Sequence, residues 1–262
     1  MAKECQVMKG LRKHLYRLLG QQRYLWLVSL GYFFSYRMGF LRRNPDYAWH
    51  YFARKLIRPG DHIIDIGANL GYFAVLFADW VGPRGRVWAV EPIPLYRRIL
   101  SSHLGHRPQA IIIPYALGPA RSTVSMGIPG PQPHRHGLTR ILEKEETSRV
   151  AHPVRVNMQT PGEVFTDLPR LDYLKCDVEG YEMDILPLFE SFFRMHQPLV
   201  QVEVASPNRA PLFAFFSQLD YRAAALQGGR LKELADPREA TRGDLLFFPA
   251  SRRDRLAGLF AV

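Results

Sequence analysis

His62-Ile63-Ile64-Asp65-Ile66-Gly67-Ala68-Asn69-Leu70-Gly71-Tyr72-Phe73 is the stretch that decides the fold. An apolar run ends in an acidic residue and a glycine turn, and an apolar helical stretch, Ala74 to Trp80, follows. Strand, glycine turn and helix together form the setting in which a backbone approaches a nucleotide ligand closely. The dinucleotide fingerprint G-x-G-x-x-G fails, because Gly67 would need glycines at 69 and 72 and the chain has Asn69 and Tyr72. Asp65, two positions ahead of the first glycine, would repel a pyrophosphate and suits a cationic ligand. S-adenosyl-L-methionine carries an ammonium and a sulfonium and no phosphate. Gly67, Ala68, Asn69, Gly71 and Tyr72 would then close on its methionine portion, with Asp65 facing the ammonium.

Working outward, short apolar runs alternate with amphipathic stretches. His62 to Ile66, Arg86 to Val90, Ala110 to Pro114, Leu171 to Cys176 and Leu199 to Val204 read as strands, mostly separated by helical segments. That alternation predicts an α/β domain with a doubly wound, mostly parallel sheet. Tyr221 to Leu226 and Asp244 to Phe248 read as a closing antiparallel pair, separated by Gly228-Gly229 and a charged stretch. Glu91-Pro92 ends the second strand, where an acidic side chain can accept both ribose hydroxyls. Ala116-Leu117, after the third, offers a small residue and exposed backbone for an adenine ring. The Pro/Gly-rich stretch 118–137 reads as an excursion over the ligand face, with a short hairpin at Ser122 to Ile128 and then a loop. His134, Arg135 and His136 within it read as solvated loop residues.

The chain carries a net charge of +11, and it is unevenly placed: residues 1–60 hold 12 Lys/Arg against 2 Asp/Glu, the remaining 202 residues 23 against 22. The basic part reads as a helical extension, 1–58, ahead of a catalytic domain at 59–250 and a C-terminal tail at 251–262. Leu11, Leu15, Leu18 and Leu19 keep helical spacing, Asn44-Pro45-Asp46 opens a second segment, and Arg58-Pro59-Gly60 stops it. Tyr24 to Tyr36 is the most apolar stretch, but its 13 residues fall short of the roughly 20 that cross a bilayer. A buried or interfacial helix is expected, with a peripheral contact to anionic lipid as one outlet for the charge. Cys5 and Cys176 match no metal or redox spacing, which fits a reducing cytoplasm. The sequence leaves oligomeric state open.

The run Pro59 to Tyr72 (P-G-D-x-x-I-D-I-G-A-N-L-G-Y), Glu91-Pro92, Ala116-Leu117-Gly118 and Leu174 to Glu182 (L-K-C-D-V-E-G-Y-E) together resemble the FkbM family of methyltransferases over roughly Arg58 to Asp220. The resemblance implies a Rossmann-like class I methyltransferase fold and transfer to a hydroxyl oxygen. Two departures stand out. Thr160-Pro161-Gly162 replaces the Thr-Leu-Asp usual before the fourth strand, and Asp220-Tyr221 replaces Gly-Tyr.

The fourth strand delivers Lys175, Asp177 and Glu179 at alternating spacing to the C-terminal edge of the sheet, where open α/β sheets bind ligands. Asp177 is expected to act as the base or acceptor-orienting carboxylate, Glu179 as its neighbour, and Lys175 as a partner to one of them. A competing role for both carboxylates is to cap the helix that begins near Glu182. With Glu203 they could form an oxygen-rich site for a divalent metal, a reading not favoured, and no metal ligand is assigned. The acceptor expected is a small molecule or glycan bearing a hydroxyl. An RNA acceptor is disfavoured because the charge outside the first 60 residues is nearly balanced, and a non-catalytic protein of the same fold is the alternative from another class.

Overall fold

The structure is a computed structural model describing residues 2–128, 139–142, 150, 153–204, 206–240 and 243–261, with side chains from Tyr16 onward except residue 17. Among the described residues the strands are β1 (His62–Ile66), β2 (Arg86–Val90), β3 (Ala110–Ile113), β4 (Ala116–Leu117), β5 (Ser122–Gly127), β6 (Arg140–Ile141), β7 (Val154–Gln159), β8 (Tyr173–Cys176), β9 (Leu199–Glu203), β10 (Tyr221–Gln227), β11 (Arg230–Leu234) and β12 (Asp244–Pro249). Eight of them form one sheet in the order β11-β10-β12-β9-β8-β1-β2-β3. Strands β9, β8, β1, β2 and β3 run parallel, while β12 lies antiparallel to β9 and β10. The protein therefore has the doubly wound, Rossmann-like class I methyltransferase architecture with its antiparallel closing strands. The chain winds outward from β1 to β3 and then returns to β8, so the strand order reverses between β1 and β8, and a crevice opens at their C-terminal ends.

The central parallel strands β1, β8 and β9 are buried on both faces, which is why they read as apolar runs rather than alternations, whereas β3 at the edge is only half-buried. Tyr173 of β8 joins one core with Phe77, Val87, Leu246 and Phe248, whereas Leu174 and Cys176 join the other with Ile64, Val200, Phe216 and Phe247. Helices α1 (Ala2–Arg37), α2 (Ala48–Phe52), α3 (Ala74–Val81) and α4 (Pro94–Leu104) precede or connect the first strands. α1 is broken at Gly20, whose φ of 70° and ψ of 165° are non-helical. Asn44 caps the short turn Pro45–Tyr47 through its side chain to the Asp46 amide, 3.0 Å away. No described helix is long and apolar enough to cross a membrane.

Two expectations are corrected. The charged stretch after Gly228-Gly229 is not loop but the edge strand β11. Both glycines take positive φ (57° and 76°), the requirement of a tight two-residue hairpin turn, and Leu231 and Leu234 are buried while Arg230 and Lys232 point outward. Leu231 joins one core and Leu234 the other, so this strand carries no alternation for the sequence to show. The final residues cover this edge: the Ala261 amide donates to the Leu231 carbonyl at 2.9 Å, and Phe260 is buried against Phe248. Second, Ser122 to Ile128 is not a hairpin. Its residues 122–127 form the single strand β5, paired with β7 and β6 in a second sheet of order β4-β7-β5-β6. β5 finds its partner about thirty residues downstream, beyond the reach of a local reading. His134, Arg135 and His136 lie outside the described residues.

The two departures from the family pattern also have local explanations. Thr160 caps the helical turn Pro161–Val164 in a reciprocal box with Glu163. Asp220 stands at φ 58° in the turn into β10, a conformation glycine adopts without cost and aspartate tolerates.

Phe216 is fully buried and stacks on Phe247 at 4.2 Å between ring centroids. Phe216→Ala is expected to cost about 3–5 kcal/mol of unfolding free energy, read from the shift of a urea midpoint at unchanged slope. An unmoved midpoint would show that this contact does not anchor the second core.

Candidate functional site

The crevice at the C-terminal ends of β1, β2 and β8 deepens into a pocket. The glycine turn after β1 contributes Asp65, Gly67, Ala68, Asn69 and Tyr72; the end of β2 contributes Glu91 and Pro92; β4 contributes Ala116 and Leu117. From β8 and its following loop come Lys175, Asp177 and Glu179, and from the end of β9 comes Glu203. Of the described residues assigned to the site from the sequence, only Gly71 does not line it. A Cβ at Gly71 would meet Leu100 Cδ1 at 2.9 Å, and its φ is 95°, so this glycine lets the turn pack on α4 rather than on a ligand. Gly67 has a similar second cause, since a Cβ there would lie 1.9 Å from the Asp177 carbonyl oxygen and its φ is 82°. The glycine turn is thus fitted first to its protein neighbours.

Asp65 is 1% exposed, and neither of its carboxylate oxygens has a hydrogen-bond partner among the described residues. Burial pushes its pKa up to about 6, against the pull of Lys175. Lys175 supplies a counter-charge but no hydrogen bond, so this carboxylate at the pocket wall still has acceptor sites that a ligand's donor would satisfy. Glu91 is also buried, but it is held: its Oε2 accepts the Asn69 amide at 2.9 Å and its Oε1 the Ile93 amide at 2.8 Å. Burial still pushes this carboxyl up to about 7. Each oxygen keeps a second lone pair, so the two amides fix the side chain without exhausting it as an acceptor. Asn69 itself takes φ 51°, which aims its amide at Glu91.

Lys175 is 2% exposed and donates to Asp177 Oδ2 at 2.9 Å, with its ammonium 4.8 Å over the Phe73 ring. Burial would lower its pKa, but Asp177, Asp65 and Asp244 outweigh burial and raise it. Lys175 is therefore a fixed cation and no proton acceptor. Burial works against the Asp177 charge too; Lys175 outweighs that and holds Asp177 below the ordinary aspartate range. Glu203 hydrogen-bonds Asp177, whose charge, together with burial, pushes Glu203 up to about 9. The charge on Asp177 thus disfavours ionising Glu203 beside it. Glu179 takes φ 53°, and burial, with Asp177 and Glu182 nearby, pushes it up to about 7.

Neither Asp177 nor Glu179 caps the following helix. The turn Glu182–Ile185 has no side-chain cap, and the loop is held instead by Glu182, whose Oε1 accepts the Gly180 amide at 2.8 Å and whose Oε2 accepts Asn208 Nδ2 at 2.7 Å. Single oxygens of Asp177, Glu179 and Glu203 lie within 4.8 Å of one another, a spacing that could hold a metal ion. Lys175 already balances one of these three charges through its ion pair with Asp177, so a divalent ion would have to compete with it.

Sequence reading missed His50, from α2, which lines the pocket ahead of the sheet. It stacks on Phe73 at 4.0 Å, and burial, reinforced by Lys175, pushes its pKa down to about 3, leaving a neutral imidazole whose Nδ1 has no partner among the described residues. Met126 and Ile141 of the second sheet and Thr139, just ahead of β6, line the pocket as well, and Thr139 pairs with the Tyr96 hydroxyl at 2.9 Å. No local pattern announces these residues, because long-range folding brings them in.

The family model described as the methyltransferase FkbM domain matches residues 65–223. The chain belongs to the FkbM methyltransferase family. Within the matched span of this FkbM chain fall both closing carboxylates, Asp65 and Glu91, and the Lys175–Asp177 pair. Methyltransferase 1 of Beauveria bassiana is 28% identical over 146 residues, 47% of this chain and 56% of that protein. Protein-L-isoaspartate O-methyltransferase of Aeropyrum pernix is 51% identical over 37 residues, 14% of each chain. A crystal structure of an FkbM methyltransferase from Methylobacillus flagellatus superposes with a TM-score of 0.45 at 14% identity, covering 76% of this chain and 50% of that one. The FkbM chain thus spans 14% and 56% of these two curated relatives.

Replacing the buried cation tests this electrostatic arrangement. Lys175→Met would leave Asp177 and Asp65 buried without a counter-charge, at a cost of about 3–5 kcal/mol near pH 8. Lowering the pH to 5 protonates the Asp65 carboxyl, whose folded pKa is already raised to about 6, so the penalty should shrink there. Denaturant melts at the two pH values check this; an equal penalty at both would refute the assigned charges.

Proposed function

We propose that this protein is an S-adenosyl-L-methionine-dependent methyltransferase that methylates a hydroxyl oxygen of a small molecule or glycan. The observation that carries the cofactor reading is the buried, unpartnered carboxylate of Asp65 beside the amide-held Glu91. A ligand with an ammonium at one end and a ribose diol at the other satisfies both. Ala116 and Leu117 supply an apolar wall for the base, and Met126 and Ile141 add to the apolar lining. When bound, the cofactor supplies a methyl group on a positively charged sulfur.

The residues of this chain then have positional work. Hydroxyl oxygen becomes strongly acidic only as it gains the methyl group, so the proton leaves late and a weak, ionised carboxylate is a sufficient acceptor. Asp177 is such a group, kept ionised and oriented by Lys175. It orients the acceptor hydroxyl and takes its proton, while Glu179 and Glu203 shape the polar side of the acceptor space. His50 closes the pocket from the side of α2, and its neutral ring adds no charge to repel a sulfonium. No step requires a metal.

Calorimetric titration with S-adenosylhomocysteine and, separately, with NAD is the first experiment. Saturable binding of S-adenosylhomocysteine alone supports the reading, and binding of NAD alone or of neither overturns it. Asp177→Asn is expected to lower turnover on the order of a hundredfold or more while leaving cofactor affinity within a few fold; Glu91→Ala should instead act mainly on affinity. Loss of binding in both variants alike would contradict the division of roles.

Asp65 and Glu91, raised to about 6 and about 7, serve the ligand as anions. Below those values binding must first release their protons. Affinity for S-adenosylhomocysteine should therefore rise from pH 5 to pH 8, by at most on the order of tenfold per pH unit per group, and level off above. A flat profile would exclude these carboxyls as the contacts.

A further inference from the structure

The helical segment after Gly20 has two apolar faces, and only one is packed. Tyr24, Leu25, Ser29 and Tyr32 are buried; Tyr24 and Leu25 pack with Leu70, Ile93, Tyr96 and Ile99, and Ser29 Oγ lies 2.6 Å from His103 Nε2. Leu27, Leu30, Phe34 and Met38 follow one another at helical spacing on the opposite side, at 47%, 37%, 62% and 57% exposure, and Phe40 continues the patch at 67%. Of the ten large hydrophobics exposed among the described residues, eight lie between Leu18 and Phe40. Arg23, Arg37, Arg42 and Arg43 are exposed along the same segment, and none of them joins an ion pair among the described residues. No acidic residue occurs between Glu4 and Asp46.

We propose that this outward face, Arg23 to Arg43, docks on the surface of an anionic lipid bilayer, the helix lying in the interfacial plane. An apolar strip bordered by arginines matches acyl chains below and lipid phosphates around them. A nucleic acid would satisfy the arginines but leave the leucine and phenylalanine strip against water or sugar-phosphate. A second copy of the same face would cover the strip but bring like charges together across it. The bilayer satisfies both features at once. At 1.5 Å per residue the segment is about 25 Å long, enough to lie along a surface and, with its packed inner side, unable to insert across one.

The test uses the full chain and vesicles of phosphatidylcholine alone or with phosphatidylglycerol. Sedimentation with the anionic vesicles, on the order of tenfold or more stronger than with neutral ones and weakened by salt, is expected. The paired substitution Leu27→Glu with Phe34→Glu should abolish it, and so should Arg37→Glu with Arg42→Glu and Arg43→Glu. Leu27 and Phe34 are exposed, and Arg42 gives up only its place over the Tyr51 ring, 5.5 Å from the centroid, so both variants should keep the thermal unfolding midpoint and S-adenosylhomocysteine titration of the unaltered chain. Equal or no binding to the two vesicle types would overturn the proposal, as would variants that still sediment. Chromatographic dimerisation broken by Leu27→Glu with Phe34→Glu, without vesicle binding, would reassign the face to a second copy. Binding to a single-stranded RNA probe in place of vesicles would reject it equally. None of these readouts depends on methyl transfer, so failure here leaves the proposed function standing.

Discussion

One buried ammonium holds the chemistry of this molecule in place. Lys175 sits mid-sheet on β8, over Phe73, bonded to Asp177 and within the field of Asp65 on β1 and Asp244 on β12. Without that charge the sheet would bring three carboxylates together in a medium that cannot solvate them. With it, Asp177 stays ionised at the crevice, while Asp65 and Glu203 are pushed above the ordinary carboxylate range. The polar network continues behind it, where Tyr173 donates to Gln201 and Gln201 to Asp244. The resulting pocket has each acidic group set to a different readiness to ionise, by neighbours rather than by residue type.

The parallel half of the sheet was legible because doubly buried strands leave an unmistakable apolar run: β1 and β2 coincide residue for residue with the runs His62 to Ile66 and Arg86 to Val90. The site carboxylates were legible for a related reason, since a strand that ends in an acid followed by glycine or proline marks the ligand edge. β11 was hidden because its two buried leucines join opposite cores, and a five-residue edge strand shows too few buried positions to declare itself. The second sheet was hidden by distance, with β5 separated from β7 by a segment whose composition suggests only loop. His50 had no signal at all: a lone histidine in a short helix gains its meaning from Phe73 and Lys175, which reach it through the tertiary fold. Reading Gly67 and Gly71 as ligand glycines was incomplete, because both are demanded by protein contacts whether or not a ligand binds.

The basic N-terminal segment and the pocket are parts of one arrangement. Tyr32 on the inner face of the helix meets Tyr72 at 4.6 Å and His50 at 5.5 Å, so whatever engages the outer face bears on residues that line the pocket. This accounts for an inner stripe of tyrosines beneath a strip of leucine and phenylalanine.

His50 comes from a helix that precedes the first strand, whereas the carboxylates come from the sheet itself. The leading segment thus builds one wall of the pocket, and through the His50 ring against Phe73 it also reaches the groups that hold the opposite one. A chain starting at Pro59 would lack His50 and leave the Phe73 ring without the imidazole that stacks on it.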